Sequence, residues 1–219
     1  AVPIADQAVY VTGGVKGGSE DPPDNTNPQE VRFGDATTIS LSESSFELFL
    51  ARFNPTTGVR VWHRLVGSAG NDAGIAVALD SNQYPVIAGY VGGTAQFGTP
   101  PNADTLQPVG GSDLVVAKYN PTGDFLWVKP IGSAGNEYAT AIALDLLNNV
   151  VVGGFTIGSP GDKLFVPERG QVLSLDLVGT NSRHDGLVAK LDDEDVWIPN
   201  TLWTGIDLAN LTPVDLGGD

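Results

Sequence analysis

Apolar residues in this chain come in short runs that alternate with polar ones and stop at Gly, Pro, Asn or Asp. Phe46–Phe53 (FELFLARF) alternates with the period of two expected of a strand. Asn54-Pro-Thr-Thr-Gly58 follows, with Pro to preset φ and Gly to allow a positive one, so it reads as a turn. Val59–Val66 is the next strand and carries Trp62. Gly67-Ser-Ala-Gly-Asn71 is a tight loop. Ala73–Leu79 is a strand of small apolar residues and runs into Asp80. Tyr84–Tyr90 is almost wholly apolar, the pattern of a strand buried on both faces. The 28 Gly and 15 Pro punctuate the whole length, which favours many short strands over long helices.

The same order then returns. Leu114–Tyr119 is followed by the turn Asn120-Pro-Thr-Gly123, by Phe125–Ile131 with Trp127, and by the loop Gly132–Asn136. Ala139–Leu144 with Asp145 and then Val150–Phe155 complete the copy. Ala51 matches Ala117, Trp62 matches Trp127, Gly67 matches Gly132, Asp80 matches Asp145 and Gly89 matches Gly154. A third copy, His184–Trp197, is degraded: its turn is replaced by Asp192-Asp-Glu-Asp195 and its Gly-Ser-Ala-Gly-Asn loop is missing. Val9–Gly13 is a trace of a fourth.

A unit of four short strands is an antiparallel meander with two apolar faces. It cannot bury both alone, and stacking against neighbours solves this. The expected fold is all-β: a β-propeller-like array of about three four-stranded antiparallel blades, either incomplete or closed by oligomerisation, since propellers ordinarily close with about 4–8 blades. The small-residue strands suit the crowded inner position and the Trp-bearing strands the outer one. The chain reads as a single repeat domain over 1–219, with approximate repeats 1–66, 67–131 and 132–204 and an atypical tail at 205–219. Three long connections, Gly14–Ser45, Tyr90–Ser112 and Phe155–His184, leave the same strand of each repeat, so they should emerge on one side.

The stretch DLVVAKYNPTGDFLWVKPIGSAGNEYATAIALDLLNNVVVGGF resembles the bacterial β-propeller repeat of the SBBP, or "seven-bladed", type. The resemblance covers about Phe46–Phe155 well, and Val9–Gly13 and His184–Trp197 in part. It implies a secreted or cell-surface bacterial protein, and it brings no catalytic residue to this chain.

Composition narrows the functional classes. Cysteine is absent, which excludes disulfides, Cys-ligated metals and thiol catalysis within the chain. The net charge of −15 argues against binding a phosphate backbone, so no nucleic-acid partner is expected. No apolar run reaches the length of a membrane helix. The chain starts at Ala1 and has no Met, as expected of a processed or cut chain.

Candidate chemistry is sparse. Asp72 and Glu137 follow the two Gly-Ser-Ala-Gly-Asn loops and could line one propeller face as axial carboxylates. Asp192, Asp193 and Asp195 form the best local cation candidate, with Ca²⁺ the ion in question, although a solvated acidic turn is the simpler reading. Asp80 and Asp145 read as turn-closing residues. His63 and His184 stand apart and support no triad or metal centre. Trp62, Trp127 and Trp197 read as core by their shared register, whereas Trp203, outside the repeat, reads as a contact residue. Asn210-Leu-Thr212 fits a glycosylation pattern.

These features point to a non-enzymatic, extracytoplasmic scaffold or protein-interaction module without a cofactor, binding through its long loops or associating with itself. The alternatives are a structural subunit of a filament or cell-surface assembly, and a carbohydrate-active enzyme using Asp72 and Glu137.

Overall fold

The computed structural model describes residues 8–16, 30–31, 39–40, 45–159, 162–168, 171–176, 184–192 and 203–206. All regular structure in them is β. The strands are β1 (Val9–Val15), β2 (Glu30–Val31), β3 (Ile39–Ser40), β4 (Glu47–Phe53), β5 (Arg60–Val66), β6 (Ala73–Leu79), β7 (Pro85–Val91), β8 (Ala95–Thr99) and β9 (Asn102–Leu106). They continue as β10 (Asp113–Tyr119), β11 (Phe125–Ile131), β12 (Asn136–Leu144), β13 (Val150–Ile157), β14 (Lys163–Glu168), β15 (Gln171–Asp176), β16 (His184–Leu191) and β17 (Trp203–Ile206).

Three antiparallel sheets form the frame, each a blade. Blade 1 has the order β1-β4-β5, blade 2 β11-β10-β7-β6 and blade 3 β12-β13-β16-β17. The sequence unit beginning at Phe46 therefore straddles two sheets, because the chain changes blade at the Gly-Ser-Ala-Gly-Asn loops. The small-residue strands β6 and β12 lie at one edge of their sheets and the Trp127 strand at the other. On the small-residue side the blades converge, with β6 against both β1 and β12. Residues without bulk permit that approach.

The chain inserts a two-stranded hairpin between two paired strands of every blade: β2–β3 between β1 and β4, β8–β9 between β7 and β10, and β14–β15 between β13 and β16. The connection from β7 to β10 contains β8–β9, and this hairpin does not stand free. Ala95 and Phe97 are fully buried and Leu106 nearly so. The hairpin packs along β11 and reaches β5, filling the gap between the outer strands of blades 1 and 2. Phe97 lies 6.2 Å from Phe125, ring to ring. From blade 3, Phe165 exchanges backbone bonds with Gly132, so β14 is tied to the end of blade 2 in the same way.

The core lies between sheets. Ile87, Val91, Val115, Ala117 and Tyr119 of blade 2 pack on Leu48, Leu50 and Val66 of blade 1. Val86, Ala88, Leu114, Val116 and Ile131, on the opposite face, pack on Val150, Val152, Leu187, Ala189 and Leu191 of blade 3. Successive residues of β7 and β10 thus feed opposite interfaces, which is why both strands read as nearly continuous apolar runs. Trp127 is buried between blades 2 and 3. Trp62 packs on the blade 1–blade 2 core, and its Nε1–H donates to Pro121 O at 3.0 Å.

The segment TLWTGI, which matches nothing in the repeat, supplies the fourth strand of blade 3: Trp203–Ile206 pairs antiparallel with β16. Strand pairing is a backbone interaction, so a repeat can keep it after the side-chain pattern has been lost. Trp197, Asp193, Asp195 and Asn210 lie outside the described residues.

Leu114 is fully buried against blade 3. Leu114→Ala is expected to lower stability by about 2–5 kcal/mol, measured by urea denaturation, through lost burial and the cavity left behind.

Candidate functional site

Asp72 and Glu137 stand at equivalent positions in successive blades, and both are completely buried. Each is engaged by its own loop. Asp72 accepts from Ser68 N at 2.6 Å, from Ser68 Oγ at 2.8 Å and from Gly92 N at 2.9 Å. Glu137 accepts from Ser133 N at 2.7 Å, from Ser133 Oγ at 2.5 Å and from Thr156 Oγ1 at 2.6 Å. A carboxylate of this kind folds the Gly-Ser-Ala-Gly-Asn loop back on itself and ties it to the second strand of the blade it opens.

The rest of the loop sequence has equally local reasons. Asn71 Oδ1 accepts from Phe46 N at 3.2 Å, and Asn136 Oδ1 from Ser112 N at 3.0 Å. Asp72 N donates to Phe46 O at 2.9 Å, and Glu137 N to Ser112 O at 2.7 Å. These bonds join the chain just before β4 to the start of β6, and the chain just before β10 to the start of β12. A Cβ at Gly132 would fall 2.1 Å from Asp113 Oδ2, and one at Gly135 would fall 2.1 Å from Ile157 O. Those two glycines make room for a buried carboxylate and for a neighbouring backbone.

Each connector consequently buries a second acid. Glu47 and Asp113 open β4 and β10, Asp185 is the second residue of β16, and all three are buried. Asp113 accepts from Val109 N at 3.0 Å through Oδ2, while its Oδ1 has no hydrogen-bond partner. Burial, with the charge of Glu137 adding to it, pushes the Asp113 carboxyl up to about 6. Burial also raises Asp72 and Glu137 above the usual carboxylate range, against the hydrogen bonds that pull them down.

Asp80 and Asp145 close turns on the opposite edge. Asp80 Oδ1 accepts from Asn82 N and Tyr84 N, both at 2.8 Å, and Asp145 Oδ1 accepts from Leu147 N at 2.9 Å and Asn149 N at 3.0 Å. The other oxygen of each meets a lysine of its own blade, Lys118 at 3.0 Å and Lys190 at 2.9 Å. Hydrogen bonds from Asn149, then Lys190, hold the Asp145 carboxyl well below its ordinary value. Asn148 bridges to Ser81 of blade 2 through two bonds of 2.9 Å.

Asp192 is half-buried just after β16. Among the described residues no three His, Cys, Asp or Glu side chains are grouped as a metal site. His63 lies on blade 1 and His184 on blade 3, in separate sheets.

The pattern of residues did not announce one further feature, a cavity of about 240 Å³ at the outer rim between blades 1 and 2. The tip of the β8–β9 hairpin (Gly98–Asn102), Arg64 and the turn before β11 line it, with Phe125 and Tyr119. The Tyr119 hydroxyl is buried without a hydrogen-bond partner. Arg64 is held by donating to Gly123 O at 2.6 Å and His63 O at 2.8 Å. The cavity joins residues far apart in sequence, and the fold alone assembles it.

No family model matches the chain. An uncharacterized WD repeat-containing protein of Acanthamoeba polyphaga mimivirus is 27% identical to it over 118 residues, 46% of this chain and 8% of that protein. The match accords with the repeat and with the all-β blades.

The buried acid pair sets a pH dependence. The unfolded chain releases the Asp113 proton near the ordinary value of 3.8, and the folded chain holds it to about 6. The folded state binds more protons across that window, so this group makes stability fall as pH rises from about 4 to 6. Asp113→Asn is expected to flatten that part of the curve and to raise the thermal midpoint at neutral pH. Asp72→Ala strips three donors of their acceptor and is expected to cost on the order of 3 kcal/mol, read from chemical denaturation.

Proposed function

We propose that this chain is a non-enzymatic protein-interaction module built on SBBP-type β-propeller repeats, working outside the cytoplasm. Its contact surface is the outer rim formed by the inserted hairpins. The reading is supported chiefly by how the side chains are spent. Repeated residues such as Asp72, Glu137, Asp80, Asp145 and Asn136 all bond within the frame. The hairpin, by contrast, is anchored from beneath by Ala95, Phe97 and Leu106 and turns Gln96, Thr99, Asp104 and Thr105 to solvent. Exposed polar groups on a rigid support are the usual construction of a binding surface.

The partial similarity to a WD repeat-containing protein supports the propeller-type interaction reading. The carbohydrate-active alternative has less support. It needs two carboxylates converging on a substrate, whereas Asp72 and Glu137 are buried and each clasps its own loop. At about 240 Å³ the rim cavity falls below the roughly 300–1,000 Å³ of small-molecule sites. It suits a single side chain from a partner, with Arg64 among the polar residues that line it. The compartment rests on the family resemblance alone.

The rim is tested by substituting only its exposed positions. A variant with Gln96→Ala, Asp104→Ala and Thr105→Ala should fold normally and bind a partner identified by crosslinking with at least tenfold loss of affinity. A control variant with Leu146→Ser and Leu147→Ser, on the opposite edge, should bind that partner like the wild type. Equal binding by the rim variant would remove the assignment. Fractionation of the source cells checks the compartment, with the chain expected outside the cytoplasmic fraction.

A further inference from the structure

The blades face one way. Call the face toward the preceding blade the front and the face toward the following blade the back. Blade 2 shows what each looks like when covered. Its front positions Ile87, Val115 and Ala117 are 0% exposed beneath blade 1, and its back positions Val86, Ala88 and Val116 are 0% exposed beneath blade 3.

Strand register carries these positions to the outer blades. Ile87 pairs with Ala117 in blade 2 as Val11 pairs with Ala51 in blade 1, and Val115 occupies the place of Phe49. The blade 1 front therefore consists of Val9, Val11, Phe49, Ala51 and Phe53. Val11 is 41% exposed and Val9 46%, and Val61 on β5, across β4 from them, is 53% exposed. On blade 3, Val188 pairs with Gly153 as Val116 pairs with Ala88, and Val151 stands where blade 2 has Val86. Val151, Gly153 and Val188 are all partly exposed. A Cβ built at Gly153 would meet only Thr140 Oγ1, at 3.8 Å, so the space above it is open. Val11 is thus exposed where its counterpart Ile87 is buried, and Val151 and Val188 are partly exposed where Val86 and Val116 are buried, while Ala51, covered within its own sheet, is buried like Ala117.

We propose that the blade 1 front and the blade 3 back are the two halves of one interface, and that a second copy of this chain occupies it, back against front. The two covered interfaces within the chain show the fit. In each, a back face of this repeat seats on a front face of this repeat, with apolar side chains from both sheets in one core. A second copy presents that same back face to the blade 1 front. The contact is heterologous, so the two surfaces differ and can be blocked one at a time. Two copies joined in this way bring together about six blades, inside the range in which propellers close.

Sedimentation velocity on the 219-residue chain tests this, at an ionic strength that screens its charge of −15. The variants are Val11→Glu on the front and Val151→Glu on the back. Both sites are partly exposed, so circular dichroism and the thermal midpoint should match the wild type; Val9→Lys and Val188→Lys stand in if either variant fails to fold. The wild type is expected to associate, with a doubled mass as the first species. Each variant alone should be a monomer, because every pairing it can make includes a blocked face. A mixture of the two should give a 1:1 heterodimer, joining the intact back of one to the intact front of the other. A monomeric wild type overturns the proposal. So does a variant that associates like the wild type, or a mixture that forms no complex.

Discussion

Everything in this fold depends on one constraint: a four-stranded sheet with two apolar faces has to be covered on both sides. Blade 2 meets it fully. Its middle strands β7 and β10 send alternate apolar residues into two separate cores. At about 25 cal/mol per Å² of apolar area, each covered face contributes far more than any single polar contact in the molecule. The blades stack because no other arrangement hides both faces of the same strand.

The Gly-Ser-Ala-Gly-Asn loop with its following acid makes the stacking specific. Hydrophobic packing sets no precise register, but the backbone bonds from Glu137 N to Ser112 O and from Asp72 N to Phe46 O do. The carboxylates fold the loop so that those bonds can form, and the glycines let it pass close to its neighbours. The arrangement has an electrostatic cost. Glu47 beside Asp72 and Asp113 beside Glu137 put two acids into each connector; burial raises the proton affinities of Asp72 and Asp113, and the neighbouring acid adds to it. A buried carboxylate on an inner strand would ordinarily attract a catalytic reading, but here the surrounding donors belong to the loop that the carboxylate shapes.

Much of this was legible in the residues. The strand boundaries near Phe46, Ala73, Leu114 and Ala139 follow from alternation and from turn chemistry, both of which are local. The turn role of Asp80 and Asp145 was legible for the same reason: a side chain that caps its own turn needs no distant partner. The role of Asp72 and Glu137 was not, since Gly92, just after β7, and Thr156, on β13, which complete their hydrogen bonding, are about 20 residues away in sequence. The outer strand Trp203–Ile206 was missed because it keeps the pairing without the pattern. The hairpin β8–β9 read as a loose loop, since its three buried residues are scattered among polar ones and only the groove between blades explains them.

By itself the sequence determined that the chain is all-β, that it repeats, and which residues make the turns, because those properties depend on near neighbours along the chain. The tertiary structure decided where one blade stops and the next begins, which carboxylates are buried, and how the hairpin tip, Arg64 and Tyr119 come to enclose a cavity. It also decided which apolar faces stay open. Val11 and Ile87 are the same kind of residue in the same place in the repeat; only the presence or absence of a neighbouring sheet makes one exposed and the other buried.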